Sequence, residues 1–382
     1  MVIDAHCHMW MEEWVEKDIL KVLESVRESL GLKDLGNLMK RDAERLIADM
    51  DEAGIDKAVI LPLDFEFLYE AGGLTYRDYN DRVGEALAAW PERLIAFAGV
   101  DPRRGKAGVL ELRRCVEEMG FRGLKLWTIT GFVPDDEAFY PLYAEAERLG
   151  ITVMVHTGLG PGYSYLKTCR PVYVDKIAVD FRGLNFILAH VGNPWVDEAL
   201  AVAMKNPNVW VDISAWQKGH SLFAMGLYQV LSQAKLMHGG VHKVLFGTDW
   251  PLFTEVYSQR EWVEVIRGLE QPMAMQVMGL PEITPEEKEM ILGGNARVAL
   301  RLWGRILTFH SLCLNRAGHA RTRPFPPHRY HARPRDPSHS ISRFAGPTRS
   351  GRTPGWRAAK RRKRRGGIKS ACGGRGRAPG RA

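Results

Sequence analysis

The 382-residue sequence predicts a (β/α)₈ barrel, the TIM-barrel architecture, followed by a disordered basic tail. Eight short apolar segments alternate with amphipathic segments over about the first 300 residues. Continuous apolar strands of this kind are buried on both faces, as parallel strands joined by helical crossovers require. Polar side chains end several of these segments, and the catalytic groups of such barrels lie at strand ends.

The first strand ends at His6 and His8, and apolar periodicity predicts helices over 11–30 and 38–53. Strand and helix then alternate. The remaining predicted strands are 57–62, 94–100, 123–127, 151–156, 184–190, 209–213 and 243–247. The helices that follow them are 77–90, 106–119, 136–149, 172–180, 195–205, 221–234 and 257–269. An open doubly wound sheet is the structural alternative, but it would normally carry a Gly-rich turn where His6-Cys7-His8 stands.

A closing helix is predicted to begin at Thr284, where Pro285 and Glu287 complete a capping-box pattern. Beyond about Gly304 the periodicity stops, and the chain becomes rich in Pro, Gly, Arg and Ser. Such a composition cannot bury enough apolar surface to fold alone. We therefore predict a barrel domain over 1–304 and a disordered tail over 305–382.

The net charge of +8 comes from the tail. Residues 311–382 contain 20 Lys and Arg against one acid, Asp336, so the rest of the chain has a net charge of −11. Any binding of nucleic acid is therefore expected only through the tail, through phosphate contacts without sequence specificity. The alternative is that the tail is a mis-framed extension without a selected role.

Five scattered cysteines without a C-x-x-C pair argue against a disulfide framework and favour a reducing compartment. The N-terminus lacks the basic and apolar regions of a signal peptide, and no run approaches the roughly 18 to 20 apolar residues of a membrane helix. We expect a cytoplasmic protein without a membrane anchor.

Four of the 12 histidines lie at predicted strand ends. A buried polar group is costly unless it is paired or bound to a metal, so their position on one rim indicates a site. His6, His8, His156 and Asp249 together form a set of three nitrogens and one carboxylate that suits Zn²⁺ or a similar divalent ion.

Tryptophans also follow predicted strands, and they could wall a pocket for a flat or apolar substrate or simply pack at the rim. These residues are Trp10, Trp127, Trp216 and Trp250. Asp212 is expected to support a loop, and Asp4 to orient its neighbours by hydrogen bonding.

Several ordered motifs resemble the amidohydrolase superfamily, in its amidohydrolase-related branch. That branch contains hydrolases, lactonases and non-oxidative decarboxylases of the aminocarboxymuconate-semialdehyde decarboxylase type. The motifs are Asp4-Ala-His6-Cys-His8, Val155-His156-Thr157-Gly158, Leu188-Ala-His190-Val-Gly192, Val211-Asp212-Ile-Ser214, Gly247-Thr-Asp249-Trp-Pro251 and Gly294-Asn295-Ala296. The resemblance covers about residues 1–302 and is more specific for the fold and metal centre than for the reaction.

The resemblance implies a metal held by His6, His8, His156 and Asp249, with His190 close by. Asp249 would act as general acid and base, and His190 would orient water or polarise the scissile carbonyl. Lys125 either bridges a second metal as a carboxylated lysine, as in binuclear relatives, or forms an ordinary salt bridge.

We therefore expect a metal-dependent hydrolase that uses activated water on an amide, lactone or ester of a small molecule. The alternative is decarboxylation of an aromatic or enoic carboxylate. Hydrolysis is preferred at this point because no arginine can be placed on the rim as a carboxylate clamp. A homo-oligomer is possible, and the sequence does not specify the substrate.

Overall fold

The computed structural model describes residues 1–11, 21, 24, 27, 38, 40–68, 74–160, 164–217, 224–238 and 240–302. The tail predicted over 305–382 lies outside these residues, and the boundary at 304 stays a prediction. Most of the helix predicted over 11–30 also lies outside them.

Eight parallel strands form one sheet in sequential order, which confirms the predicted barrel. They are β1 (Ile3–Cys7), β2 (Lys57–Ile60), β3 (Leu94–Gly99), β4 (Gly123–Leu126), β5 (Thr152–Val155), β6 (Asn185–Leu188), β7 (Val209–Asp212) and β8 (Val244–Leu245). Backbone hydrogen bonds from Ala5 N to Phe246 O (3.0 Å) and from Asp249 N to His6 O (2.8 Å) join the last segment to β1. The sheet therefore closes through the residues that follow β8.

Helices follow the strands as the periodicity predicts. They are α1 (Ala43–Ala53), α2 (Tyr76–Ala89), α3 (Lys106–Glu117), α4 (Tyr140–Leu149), α5 (Val172–Asp180), α6 (Val196–Lys205), α7 (Ala224–His238), α8 (Gln259–Arg267), α9 (Met273–Val277), α10 (Pro285–Glu289) and α11 (Asn295–Ala299). The capping box of Thr284 and Glu287 begins α10 as expected. A π-helical turn over Met290–Gly294 joins α10 to α11 within the predicted closing helix.

One predicted helix begins later than expected. The periodicity predicts a helix over 38–53, but Lys40–Arg41 is extended and pairs antiparallel with Trp10–Met11, and α1 begins only after Asp42. The Asp42 side chain accepts a hydrogen bond from Arg45 N (2.8 Å), so it caps the helix at this point. The first strand of this short antiparallel pair begins at Trp10, two residues after His8.

Apolar side chains form two layers on either side of the sheet. The barrel interior is filled by side chains such as Ile3, Val59, Phe97 and Ile187, with Ala296 of α11 among them. A larger cluster packs the outer face of the strands against the helices. The strands are thus packed on both faces by apolar side chains, which fixes the positions of the polar residues that follow the strand ends.

Candidate metal centre

His6 and His8 lie at the end of β1, and both are buried. The register of β1 against β2 shifts between Asp4 and Cys7, and such bulges re-aim side chains near functional sites. Nδ1 of His8 lies 2.7 Å from the Leu61 carbonyl oxygen, which can only accept a hydrogen bond. His8 therefore carries a proton on Nδ1, and Nε2 is the ring atom that faces the site.

Asp249 follows β8 and faces both imidazoles. Its Oδ1 lies 3.2 Å from His8 Nε2 and 3.5 Å from His6 Nε2. Its backbone has a positive φ of 56°, an unusual conformation that functional sites often retain. Ligand atoms of His6, His8 and Asp249 all lie within 4.8 Å of one another, so this part of the predicted set does converge.

Asp212 and Ser214 fix the proton positions of two imidazoles. His6 Nδ1 lies 3.0 Å from Asp212 Oδ2 and 3.1 Å from Ser214 Oγ, and His190 Nδ1 lies 2.8 Å from the same hydroxyl. The Ser214 hydroxyl donates its only proton to Asp212 Oδ1, so its oxygen can only accept from the two rings. Both imidazoles therefore carry the proton on Nδ1 and leave Nε2 as a ligand or acceptor atom.

His190 ends the segment after β6 and packs beside His6. Their ring centroids are 4.8 Å apart, and the His190 backbone also has a positive φ, of 61°. Ligand atoms of His6, His190 and Asp212 form a second group within 4.8 Å. Burial lowers the pKa of His190 although Asp249 and Asp212 act to raise it, so the ring is neutral near pH 7.

His156 follows β5 on the same rim. Its ring centroid is 4.9 Å from that of His190, and its Nε2 lies 3.2 Å from the Leu159 carbonyl oxygen. Burial and the neighbouring His190 hold its pKa well below the usual value. His156 belongs to neither of the two groups of converging ligand atoms among the described residues, so its role as a ligand stays a prediction.

Lys125 lies in β4 and is almost fully buried. Its Nζ lies 3.3 Å from His6 Nε2. Burial lowers its pKa to about 8, against the opposing influence of Asp212 and Asp249. The structure thus places an amine at the mouth of the barrel, whereas its bridging of a second metal stays a prediction.

The four tryptophans differ in position. Trp10 stacks on His8 with ring centroids 6.1 Å apart, and the half-buried Trp216 donates from Nε1 to the His190 carbonyl oxygen (3.0 Å). Trp127 is half-buried and contacts the Phe65 ring. Trp250 is fully buried and donates to Asp49 of α1 (2.9 Å), so its side chain lies in the core between strand and helix.

Sequence reasoning missed part of this network. Asp4 orients its neighbours as expected, since it accepts from His6 N (3.1 Å) and from both the backbone and hydroxyl of Thr248 (3.0 and 2.6 Å). The bond from Asp212 to the His6 ring was not predicted, and neither was any role for Ser214, although both lie in a quoted motif. The spacing gave no signal for either contact.

The donor chemistry fits a divalent cation. The imidazoles of His6 and His8 direct Nε2 toward a carboxylate oxygen, and each ring donates its Nδ1–H to an oxygen behind it, as metal-bound histidines usually do. The barrel and this donor set at its mouth define a metal-binding enzyme.

The amidohydrolase family model matches residues 3–302, so the chain belongs to that family, as the motifs predicted. One relative is 2-amino-3-carboxymuconate-6-semialdehyde decarboxylase of Dictyostelium discoideum, 27% identical over 297 residues, which cover 67% of this chain and 75% of that protein. Another is gamma-resorcylate decarboxylase of Rhodococcus jostii, 25% identical over 49% of this chain and 69% of that protein.

Solved structures share the fold. A TIM-barrel protein of Bordetella bronchiseptica matches with a TM-score of 0.58 and 22% identity, over 78% of this chain and 98% of that chain. A dihydroxybenzoic acid decarboxylase of Polaromonas sp. holds manganese and the inhibitor 2-nitroresorcinol. It matches with a TM-score of 0.54 and 20% identity, over 79% of this chain and 97% of that chain. Within the described residues, no helix combines the length and apolar character needed to traverse a bilayer.

Proposed function

We propose that the chain is a divalent-metal-dependent, non-oxidative decarboxylase of an aromatic or enoic carboxylate. The convergence of His6, His8 and Asp249 at the barrel mouth carries the proposal of a metal enzyme. The choice of reaction is supported by the relatives, since both proteins described above are decarboxylases. Hydrolysis, the reaction preferred from the sequence, becomes the second candidate.

The buried amine of Lys125 also favours a carboxylate substrate. It lies 3.3 Å from His6 Nε2, inside the rim, and a protonated amine in a low-dielectric site attracts an anion strongly. Neutral amides, lactones and esters would gain less from it.

The first proposed role of the site residues is to bind the metal. His6, His8 and Asp249 would hold the cation, with His156 as the predicted fourth ligand. When bound, the cation would polarise the substrate carboxylate as a Lewis acid. The donor set favours Zn²⁺, and Mn²⁺ is the alternative because a Polaromonas enzyme of the same fold holds it.

His190 is the proposed proton carrier. In the reaction the bond between the substrate carbon and its carboxyl carbon breaks, the electron pair stays on the substrate carbon, and a proton replaces the carboxyl group. Ser214 accepts the Nδ1 proton of His190, so Nε2 can take up a proton from water and deliver it to the substrate carbon as CO₂ leaves. Asp249 would keep the general acid and base role only in the hydrolytic alternative.

Isotopic labelling of the products of the metal-loaded full chain tests this assignment. Aromatic and enoic carboxylates are expected to release CO₂ in D₂O and to give a product with one deuterium at the former carboxyl position. His8→Ala should abolish turnover, whereas His242→Gln, which removes an exposed histidine outside the site, should not. Incorporation of ¹⁸O from labelled water into an amide, lactone or ester product, without CO₂ release, would show hydrolysis instead.

Elemental analysis of the purified protein tests the metal. One ion per chain is expected, and its identity decides between zinc and manganese. Two ions per chain would favour the bridging role of Lys125.

We also propose a cytoplasmic location. Cys7, Cys115 and Cys169 are buried free thiols in the described part of the chain, which suits a reducing compartment. Cell fractionation tests it. An intact mass near the full 43.1 kDa would show that the natural protein carries the basic tail.

A further inference from the structure

The turn after β7, residues 214–217, bonds to both of the loops that carry the proposed catalytic side chains. Trp216 donates from Nε1 to the His190 carbonyl oxygen (3.0 Å), and the next residue, Gln217, donates from Nε2 to the carbonyl oxygen of Thr248. Thr248 directly precedes Asp249. Two consecutive side chains of one turn therefore reach the loop of the proposed proton carrier and the loop of the proposed metal-binding carboxylate.

Each of these bonds orients a peptide group beside a residue with an unusual backbone conformation. A peptide group is planar, so a bond to the Thr248 carbonyl oxygen also orients the backbone N–H of Asp249 and restrains its φ of 56°. The bond to the His190 carbonyl oxygen acts in the same way on Val191, whose φ is 47° and which follows the φ of 61° at His190. The turn thus restrains the backbone of both loops.

Left-handed backbone conformations are concentrated around this turn. The described part of the chain has five non-glycine residues with a positive φ, and four of them lie here. These four are His190, Val191, Ala215 and Asp249. Such a residue costs free energy relative to ordinary backbone, and it persists only where the surrounding contacts over-determine it. The bonds from Trp216 and Gln217 are contacts of this kind.

The Gln217 side chain carries an unpaired polar atom. It is 1% exposed, and its Oε1 is one of four buried side-chain atoms without a hydrogen-bond partner among the residues that the structure describes. An unpaired buried oxygen destabilises a fold, and an apolar side chain of the same length, such as methionine, would avoid that cost. Packing therefore does not account for a glutamine at this position, whereas the bond from Nε2 to Thr248 does.

We propose that Trp216 and Gln217 are positioning residues, which hold His190 and Asp249 in the backbone conformations that direct their side chains into the site. This inference rests on the proposed function, in which Asp249 binds the cation and His190 carries the proton. The two bonds act on different steps. Gln217 sets the affinity for the metal, and Trp216 sets the rate of proton delivery.

Zinc affinity tests the role of Gln217 without any substrate. The stripped full chain is titrated with Zn²⁺ in competition with a chromogenic chelator. Gln217→Met is expected to bind Zn²⁺ roughly tenfold more weakly, because Asp249 relaxes and the metal must restore its left-handed conformation. The urea midpoint of the stripped variant should equal that of the wild type, since the substitution removes the unpaired Oε1 and leaves the Thr248 oxygen unpaired in its place.

Two further glutamine variants complete this test. Gln233→Met removes an amide that donates to Asp197 between α7 and α6, so it makes the same substitution away from the strand ends and should leave the Zn²⁺ affinity unchanged. Gln217→Asn keeps the amide but is one methylene shorter. It should no longer reach Thr248 and should also bind Zn²⁺ roughly tenfold more weakly, so the test does not depend on the folding of one variant.

Steady-state kinetics test the role of Trp216. The metal-loaded full chain is assayed with the carboxylate that product labelling identifies. Trp216→Phe keeps an aromatic ring but loses the indole N–H, and it should lower kcat about fivefold while KM and the Zn²⁺ affinity stay unchanged. The loss is limited because Asn193 N also donates to the His190 oxygen (3.1 Å). Trp90→Phe, at the end of α2 before β3 begins, should change none of these quantities.

A merely structural role predicts a different pattern, in which the stripped variants lose stability and the two readouts fall together. Unchanged Zn²⁺ affinity in Gln217→Met, or an equal loss in Gln233→Met, would overturn the role of Gln217. A higher KM without a lower kcat in Trp216→Phe would make Trp216 a pocket wall instead. The proposed function fails separately, since hydrolysis without CO₂ release would reject the decarboxylase and leave the Zn²⁺ result for Gln217 as it stands.

Discussion

Replacing Asp212 with Asn should change the proton position on His6. Oδ1 of Asp212 accepts hydrogen bonds from the backbone N–H groups of His190 and Ser214 (both 3.0 Å) and from the Ser214 hydroxyl, while Oδ2 faces His6 Nδ1 (3.0 Å). Asparagine has one acceptor oxygen. Because three donors surround the Oδ1 position, the amide oxygen is expected there, and the NH₂ group then faces His6.

An NH₂ group cannot accept the Nδ1 proton of His6. Only the Ser214 hydroxyl oxygen, which also accepts from His190, remains as an acceptor for that proton. The ring is therefore expected to accept from the NH₂ group at Nδ1 and to carry its proton on Nε2, which removes the lone pair that faces Asp249. Loss of such an outer contact to a metal-binding histidine weakens metal affinity by roughly 10- to 100-fold, or about 1.4 to 2.8 kcal/mol.

Competition with a chromogenic chelator measures this change. The stripped full chain is titrated with Zn²⁺ in the wild type, Asp212→Asn and Asp175→Asn. Asp175 lies on α5 and binds Lys205 and Asn206, so the control makes the same substitution far from the strand ends. Unchanged affinity in Asp212→Asn, or an equal loss in both variants while their far-UV spectra stay native, would refute the assignment of the His6 proton.

Three further predictions concern stability. Adding metal at about 1,000 times its Kd should raise the free energy of unfolding by about 4 kcal/mol, and His8→Ala should remove this gain in a urea titration. Arg104→Met should lower the free energy of unfolding by about 3–5 kcal/mol, because it leaves the buried Asp64 carboxylate without its Arg104 contacts (Nη2 to Oδ1, 2.7 Å). Replacing the exposed Arg148 with Met should lower it by about 1 kcal/mol or less. Burial lowers the pKa of Lys243 to about 8. Between about pH 8 and 10.5, this lysine is therefore protonated in the unfolded chain but largely neutral in the folded chain. The free energy of unfolding of the wild type, relative to that of Lys243→Met, should therefore rise over this pH range by up to about 3 kcal/mol. A difference that does not change with pH would contradict the lowered pKa.

The barrel could be predicted because its signals are local. Most of the strands are largely apolar runs, and the capping box of Thr284 and Glu287 depends on residues three apart. The start of α1 could not be predicted as well. Its apolar period extends back to residue 38, but pairing of Lys40–Arg41 with Trp10–Met11 overrides the helical preference of that segment.

The site was predictable to the extent that its residues end strands. His6, His8 and Asp249 meet as expected, because a closed barrel brings all its strand ends to one rim. The contacts behind the ligands were not predictable, since Ser214 and His6 are 208 residues apart and nothing in their spacing indicates a bond.

The hydrogen bonds that close the sheet between β1 and the residues after β8 also bring the site residues together. Asp4 and Thr248 are 244 residues apart, yet their hydrogen bonds, with those from Asp249 N to His6 O and Ala5 N to Phe246 O, attach the end of the barrel to its beginning. A nascent chain that has not yet reached residue 249 lacks the Asp249 carboxylate and the bond from Asp249 N to His6 O. During synthesis, His6, His8 and Asp249 can therefore come together only after the last strand is made.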